Sequence, residues 1–252
     1  SYSRGNSVAV GSLAKTGSGV DNTSIGHQAG TSLSGSYACT FLGYRAGASA
    51  PNSAEKNTCI GSQAGENVTD YGNTLVGYLA GQLLTNRTEN TFVGGYAGAG
   101  ANASGPNTFI GWGSGYQCSG EYNTVVGEEA GEEMTDSDSN VLIGKHAGRK
   151  LGGGDQNVII GSLACDSGSP TGTVAIGDEA NVTASNSIGL GRAVTIGSAN
   201  TFAAGSDTAA MNTVYFGRGI SSATPSAYTI SGTKSSANGT DGGGIKISGG
   251  IA

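Results

Sequence analysis

The sequence predicts an all-β fold, a parallel β-roll or β-solenoid whose coils are about 14–17 residues long. Three observations support this prediction. A short apolar pair followed by glycine recurs at nearly constant spacing along the chain. Many residues of these pairs are β-branched, and the segment is too short for a helix, so each pair belongs to a strand. A unit of this size buries no core by itself, so successive units must stack as the coils of a solenoid.

The glycine after the apolar pair sets the period of the repeat. Its steps are 15 to 18 residues up to position 177 and 12 to 14 residues beyond it. With coils about 4.8 Å apart, these steps predict a rod on the order of 60 Å long. The anchor glycines are Gly11, Gly26, Gly43, Gly61, Gly77, Gly94, Gly111, Gly127, Gly144, Gly161, Gly177, Gly191, Gly205 and Gly217.

Each unit reads Asn-Thr-apolar-apolar-Gly-x-x-Ala-Gly and continues with polar residues. Glycine and alanine after the strand allow a tight turn with a positive φ. Asparagine at one fixed position of stacked coils predicts a ladder of side-chain amides that runs from coil to coil. The predicted ladder residues are Asn22, Asn57, Asn73, Asn90, Asn107, Asn123, Asn140 and Asn157.

The apolar pair of each strand predicts self-association. Adjacent strand residues point to opposite faces, so both faces are apolar and both are expected to be covered. One face fills the coil, and the other is expected to contact another copy of the chain about an axis parallel to the solenoid. The pattern leaves open which residue of a pair points inward. The strand residues with these two roles are Phe41, Leu42, Phe92, Val93, Phe109, Ile110, Leu142, Ile143, Ile159 and Ile160.

Two other β architectures fit the repeat less well. A globular sandwich needs a different kind of segment to cover the second face, and the chain has none. A triangular helix of hexapeptides needs three apolar clusters per turn, whereas each unit has one. A flattened, two-sided roll is therefore expected, although its second strand is poorly marked.

Composition and charge exclude several classes of function. Glycine accounts for 47 of 252 residues, but there are only 4 prolines and no Gly-X-Y period, which excludes collagen. The net charge is −6 and no Lys/Arg cluster occurs, so nucleic acid is not an expected partner. No apolar run approaches the length of a membrane span, so membrane insertion is not expected. The chain starts at Ser1 without a signal peptide, as expected of a processed or partial product.

The four cysteines are interpreted as buried free thiols. They occupy different positions of the repeat and form no Cys-x-x-Cys pattern that would indicate a metal or redox site. Cys39 and Cys59 lie in neighbouring coils but are out of register by two positions, beyond easy reach of a disulfide. The other two cysteines are Cys118 and Cys165.

The sequence predicts no catalytic activity, no cofactor and no metal site. The two histidines, His27 and His146, follow anchor glycines of distant coils and are interpreted as corner residues. An acidic cluster has the chemistry of a glycosidase pair or a Ca²⁺ site, but no EF-hand loop or Ca²⁺-binding nonapeptide is present. We interpret the cluster as a solvated rim. Its residues are Glu128, Glu129, Glu132, Glu133, Asp136 and Asp138.

Aromatic residues outside the apolar pairs are the candidates for receptor contact. Several of them follow an anchor glycine directly or at the second position, and others lie in or beside the variable loops. Exposed rings on a polar surface stack on sugar rings without needing charge. The alternative is that they brace corners between coils or subunits. The candidates are Tyr44, Tyr71, Tyr78, Tyr96, Trp112, Tyr116 and Tyr122.

Three segments resemble the head repeats of YadA-type trimeric autotransporter adhesins: NSVAVG at 6–11, TVAIG at 173–177 and NSIGLG at 186–191. The longer Asn-Thr-x-Ile-Gly-x-x-Ala-Gly units resemble repeats of bacteriophage tail-fibre proteins. The resemblance implies a left-handed parallel β-roll assembled as a tight homotrimer.

The C-terminal segment favours the tail fibre over the autotransporter. It is rich in glycine, serine and threonine, and its motifs SATPSAYTI at 222–230 and GGGIKISGG at 242–250 resemble fibre segments that precede a cleavable chaperone. We therefore divide the chain into a β-roll repeat domain at 1–217 and a C-terminal β segment at 218–252.

The expected function is structural and adhesive, at the surface of a virion or another extracellular surface. The resemblance implies a tail-fibre segment that attaches to a host cell-surface glycan or protein through the loops of a trimer. Other tail or fibre proteins are further expected partners. A polysaccharide-cleaving tailspike and the head of a cell-anchored trimeric autotransporter adhesin remain alternatives. An ice-binding solenoid is disfavoured, because no Thr-x-Thr array repeats from coil to coil.

Overall fold

The computed structural model describes residues 6–51, 54–85, 87–101 and 105–205. These residues contain no helix and form a β-solenoid of about 12 turns, with coils of about 16 residues. The predicted fold class is therefore confirmed. Within the described chain, no helix is long and apolar enough to cross a membrane. The predicted C-terminal segment and its boundary after residue 217 lie outside the described residues.

One three-residue strand per coil builds the main sheet, which has thirteen parallel strands in the described part of the chain. Each strand pairs in register with the strand of the next coil, so identical repeat positions form straight columns. The strands in chain order are β1 (Val8–Val10), β2 (Thr23–Ile25), β3 (Thr40–Leu42), β4 (Thr58–Ile60), β5 (Thr74–Val76), β6 (Thr91–Val93), β7 (Thr108–Ile110), β8 (Thr124–Val126), β9 (Val141–Ile143), β10 (Lys150–Leu151), β11 (Val158–Ile160), β12 (Ser167–Gly168), β13 (Val174–Ile176), β14 (Asn181–Val182), β15 (Ile188–Leu190), β16 (Thr195–Ile196) and β17 (Phe202–Ala204).

The opposite side of the roll is mostly built from turns. Among the described residues, strands occur there only as the pairs β10–β12 and β14–β16, in the C-terminal coils. In earlier coils the turn backbones still bond from coil to coil. The amide of Gly81 donates to the carbonyl of Ala97 (2.9 Å), and the amide of Leu83 donates to that of Ala99 (3.1 Å). The weak strand signal in the sequence thus corresponds to a side held by hydrogen-bonded turns.

The central residue of each three-residue strand points into the coil, and the third residue points outward. Of the predicted strand residues, the structure buries Phe41, Phe92, Phe109, Leu142 and Ile159 completely. Leu42, Val93, Ile110, Ile143 and Ile160 are their exposed or half-buried outward neighbours. Inside the coil, the rings of Phe92 and Phe109 stack with centroids 4.6 Å apart, so neighbouring coils share an aromatic contact in the core.

The anchor position accepts only glycine for two reasons. Each anchor in the described chain has a φ between +113° and +146°, a region that L side chains rarely adopt. A Cβ at Gly127 would also overlap the carbonyl oxygen of Gly144 in the next coil. The close approach of backbones along this column therefore fixes the glycine that sets the period.

The asparagine ladder is present and is longer than predicted. The Oδ1 of Asn140 accepts hydrogen bonds from the backbone amide and the Nδ2 of Asn157, both at 2.9 Å. Where the sequence lacks asparagine, other side chains take the same place. The amide of Asn22 donates to Ser7 Oγ at 3.0 Å, and Cys39 Sγ donates to the carbonyl of Ala54 at 3.0 Å. Thr173, Ser187 and Thr201 continue the column at its C-terminal end.

The four cysteines are free and buried, as predicted. Burial raises the pKa of every one of these thiols. For Cys118 the pKa rises to about 12. A thiol with so high a pKa carries almost no thiolate at neutral pH, so these cysteines serve as small core residues.

Candidate functional site

Four of the seven candidate aromatic residues form one continuous row on the corner that follows the main sheet. The rings of Tyr78 and Tyr96 meet edge to face with centroids 5.2 Å apart, and Tyr96 meets Trp112 in the same way at 5.0 Å. The ring of Tyr116 lies 6.4 Å from that of Tyr96. Trp112 keeps 55% of its surface exposed. The row therefore presents indole and phenol rings to solvent across three consecutive coils.

The other three candidates lie apart from this row. Tyr44 stacks on His27 of the preceding coil, with centroids 5.6 Å apart and planes only 8° from parallel, as expected of residues that brace a corner. Tyr71 and Tyr122 are exposed and lie in the turns that precede the ladder residues Asn73 and Asn123. The structure brings neither of them to the aromatic row.

A groove of about 320 Å³ opens beside the row, within the usual size range of small-ligand sites. It is lined by Tyr96, Trp112, Gly113, Tyr116, Glu129 and Glu132. The repeat explains its shape. Tyr96, Gly113 and Glu129 occupy the second position after the anchor in three successive coils, so they form one column. Because Gly113 has no side chain, a gap remains between the tyrosine and the carboxylate.

The indole of Trp112 packs against Gly95 of the preceding coil. A Cβ at Gly95 would come within 2.5 Å of Cζ3 of this ring, so the missing side chain at Gly95 is what allows the indole to rest there. Gly95 itself does not have a positive φ, unlike the anchor beside it. Two glycines thus shape the site: Gly95 seats the indole, and Gly113 opens the groove.

Three of the six acidic residues, Glu128, Glu129 and Glu133, pair with basic residues of the next coil, 17 positions on. Lys145 Nζ lies 3.0 Å from Glu128 Oε1, and Lys150 Nζ lies 3.7 Å from Glu133 Oε1. Asp138 Oδ1 accepts a hydrogen bond from the amide of Glu121 at 2.8 Å. The prediction of a merely solvated rim missed this pairing, because it depends on the coil-to-coil register.

Glu132 is the exception in this cluster. Its partner by register is Arg149, but the Arg149 guanidinium is engaged by Asp166, with Nε 2.8 Å from Oδ1 and Nη2 3.2 Å from Oδ2. Among the described residues, Glu132 makes no ion pair. Partial burial raises the pKa of its carboxyl group, and the negative charges of Glu129 and Glu133 raise it further, whereas the nearby Arg149 and His146 offset part of this rise.

The structure groups Glu128, Glu129 and His146 closely enough to hold a metal ion, with ligand atoms within 4.8 Å of one another. All three of these groups already have ion-pair partners. His146 Nε2 lies 2.9 Å from Glu129 Oε2, and Glu128 pairs with Lys145. His27 lies in a distant coil, so the two histidines share no site. The predictions that this chain is not an enzyme and needs no metal or cofactor stay predictions.

A second surface runs along the outward face of the main sheet. The third residue of each main-sheet strand is apolar from β1 to β15, and the column continues unbroken because these strands pair in register. Seven members, from Ile25 to Leu190, keep 36–42% of their surface exposed. We call this column the outward apolar row. It consists of Val10, Ile25, Leu42, Ile60, Val76, Val93, Ile110, Val126, Ile143, Ile160, Ile176 and Leu190.

Comparison with known proteins does not assign the chain to a family. No protein-family model matches the sequence, and no curated protein matches it. The outward apolar row and the aromatic groove are therefore the observations on which a functional proposal must rest.

Proposed function

We propose that this chain is a structural and adhesive segment of a phage tail fibre or a similar surface appendage, and that it acts as a homotrimer. The outward apolar row carries this proposal. Monomeric proteins rarely expose an apolar patch that is larger than a few hundred Å². A row of twelve residues, one every 4.8 Å or so, extends along twelve of the thirteen strands of the described sheet. Identical copies present identical rows, so symmetric self-association buries all of them at once.

The apolar row gives a direct test of assembly. The wild-type chain is expected to have three times its monomer mass of 24.7 kDa in size-exclusion chromatography with light scattering. The Ile110→Asp and Val126→Asp variants place a charge in the middle of the row and are expected to yield monomers. Leu83→Asp is the matched control, because Leu83 is at least as exposed as Ile110 and Val126 but lies in a turn outside the row. A monomeric wild type would refute the proposed assembly.

Attachment is assigned to the corners and loops, which remain outside when the sheet faces are covered. Shallow contacts repeated on three chains gain strength through multivalency. The test is binding of labelled protein to candidate host cells. Trp112→Ala is expected to reduce binding while the oligomer mass stays unchanged, and Tyr44→Phe serves as the control outside the groove. Undiminished binding of the Trp112→Ala trimer would contradict this role.

Two measurements separate this proposal from its alternatives. A polysaccharide-cleaving tailspike would release reducing sugar from host glycans, whereas an adhesive fibre releases none. The head of a cell-anchored autotransporter adhesin would be encoded together with a downstream coiled coil and membrane barrel. Imaging the protein by immuno-electron microscopy on a virion or on a cell surface distinguishes the two locations.

A further inference from the structure

We propose that the aromatic groove binds a substituted ammonium group carried on a sugar-sized unit, namely an amino sugar of a surface polysaccharide. This inference rests on the proposed attachment function and names the chemistry of its ligand. It combines three properties of the groove that occur together at this one corner: a gap of ligand size, aromatic rings around it and an unpaired carboxylate.

The gap exists because Gly113 replaces a side chain that every other described coil supplies. At the same position the chain has Gln28, Gln63 and Leu79, with φ of +58° to +59°. Gly113 has a similar φ of +64°, and its added Cβ would meet only Glu129 Cγ, at an ordinary 3.4 Å. The glycine is therefore not required by backbone conformation or by crowding. Its effect is to leave space between Tyr96 and Glu129.

The rings give this space affinity for a cation. An ammonium group over the face of tryptophan or tyrosine is attracted by the negative charge on the ring face, and such cages recognise substituted ammonium ions. Tyr96, Trp112 and Tyr116 line the groove, with Trp112 more than half exposed. Their rings also supply flat apolar surface on which a sugar ring stacks.

The carboxylates select for positive charge over a neutral sugar. Glu129 and Glu132 both line the groove. Glu129 already pairs with His146, but Arg149 pairs with Asp166, so Glu132 forms no ion pair in the described chain and feels Arg149 and His146 only at longer range. Repulsion from the neighbouring carboxylates is relieved when a cation enters. Arg149 is the residue of the next coil that corresponds to Glu132, but it pairs with Asp166. A bound ammonium group would thus supply the positive charge beside Glu132 that Arg149 does not.

The experiment is a fluorescence titration of the whole protein, since Trp112 is the single tryptophan of the chain and reports directly on the groove. The probes are a glucosamine hexamer and an N-acetylglucosamine hexamer at pH 6, which differ in charge but share the sugar backbone. Choline and its neutral isostere 3,3-dimethylbutan-1-ol form a second pair. We expect each cation to bind at least about tenfold more tightly than its neutral counterpart. The ranking of the two cations then distinguishes an amino sugar from a quaternary ammonium source.

Variants assign the binding to the groove. Glu132→Gln is expected to weaken binding of the glucosamine hexamer about tenfold. Glu133→Gln removes a charge from the adjacent, outward residue and is expected to change the Kd for this hexamer less than twofold. Gly113→Gln fills the gap with a side chain that the same position accepts in other coils, and it should abolish the titration without changing the circular dichroism spectrum. Gly95→Ala lifts the indole and should weaken binding while leaving every carboxylate in place.

Equal affinity for the charged and neutral hexamers would overturn the inference. So would an equal loss of affinity for the glucosamine hexamer in Glu132→Gln and Glu133→Gln. These outcomes are distinct from a failure of the proposed function. If the protein binds cells through Trp112 but shows no preference for ammonium, the proposed adhesive role stands and the proposed ligand is wrong. If it binds the glucosamine hexamer but no cell, the proposed ligand chemistry stands and the adhesive role is wrong.

Discussion

The asparagine ladder makes a quantitative prediction about stability at Asn140. This side chain is completely buried. Replacing it with alanine removes the Oδ1 that accepts from the amide of Asn157 and the Nδ2 that donates to the carbonyl of Gly154, each at 2.9 Å. Two buried backbone groups thereby lose a partner, and each such loss costs about 1–3 kcal/mol. We expect the free energy of unfolding to fall by about 3–5 kcal/mol.

Urea denaturation followed by circular dichroism measures this change. Asn181→Ala is the matched control, since Asn181 is exposed and should change the free energy of unfolding by less than about 0.5 kcal/mol. Asn140→Ser should recover part of the loss, because the hydroxyl of Ser7 accepts from the next coil's amide at 3.0 Å in the native ladder. If Asn140→Ala costs no more than Asn181→Ala, the ladder does not stabilise the fold and the reasoning fails.

Three further predictions concern the anchor, the core and the thiols. Gly127→Ala should destabilise the fold by at least about 2 kcal/mol in urea, because of its φ of +143° and its overlap with Gly144; an unchanged midpoint would contradict this. Phe109→Ala empties half of the stack with Phe92 and should cost about 3–5 kcal/mol; a cost below about 1 kcal/mol would show that the coil collapses to fill the space. The folded-state pKa of Cys118 is raised from 9.0 to about 12, so the unfolded chain loses this proton first and stability falls as the pH rises from 9 to 12. Cys118→Ala should flatten that alkaline decline, and an identical pH profile in wild type and variant would refute the assignment.

The period of the repeat made most of the fold predictable. Asn107 and Gly111 recur at fixed spacing, and equal spacing in a stack means equal position in every coil, so the ladder and the anchor column followed directly. Ladder members with other side chains were missed. Cys39 and Thr173 do not look like asparagine, but their backbone amides donate to the Oδ1 atoms of Asn22 and Asn157. Their side chains donate to the carbonyls of Ala54 and Ala184 of the next coil.

The groove was only partly predictable. Trp112 and Tyr96 were recognised as candidates because they follow anchor glycines, but the same reasoning selected Tyr44, which stacks on His27 instead. Glu132 was grouped with the solvated rim. The sequence did not reveal that it lacks an ion pair, because that depends on Arg149 pairing with Asp166. One signal was available in the sequence: Gly113 interrupts a column in which every other described coil has a side chain.

The sequence by itself determined that this protein is a stack of coils, because no single coil of this length buries a core and only stacking satisfies the recurring apolar pair. It also determined that both faces of the strand are apolar. Only the tertiary structure decided that Phe109 fills the coil and Ile110 faces outward, since alternation along a strand fixes opposite directions without saying which one is inside. The structure likewise decided which charges pair and which rings meet, because these contacts join residues about 17 positions apart and depend on the register between coils.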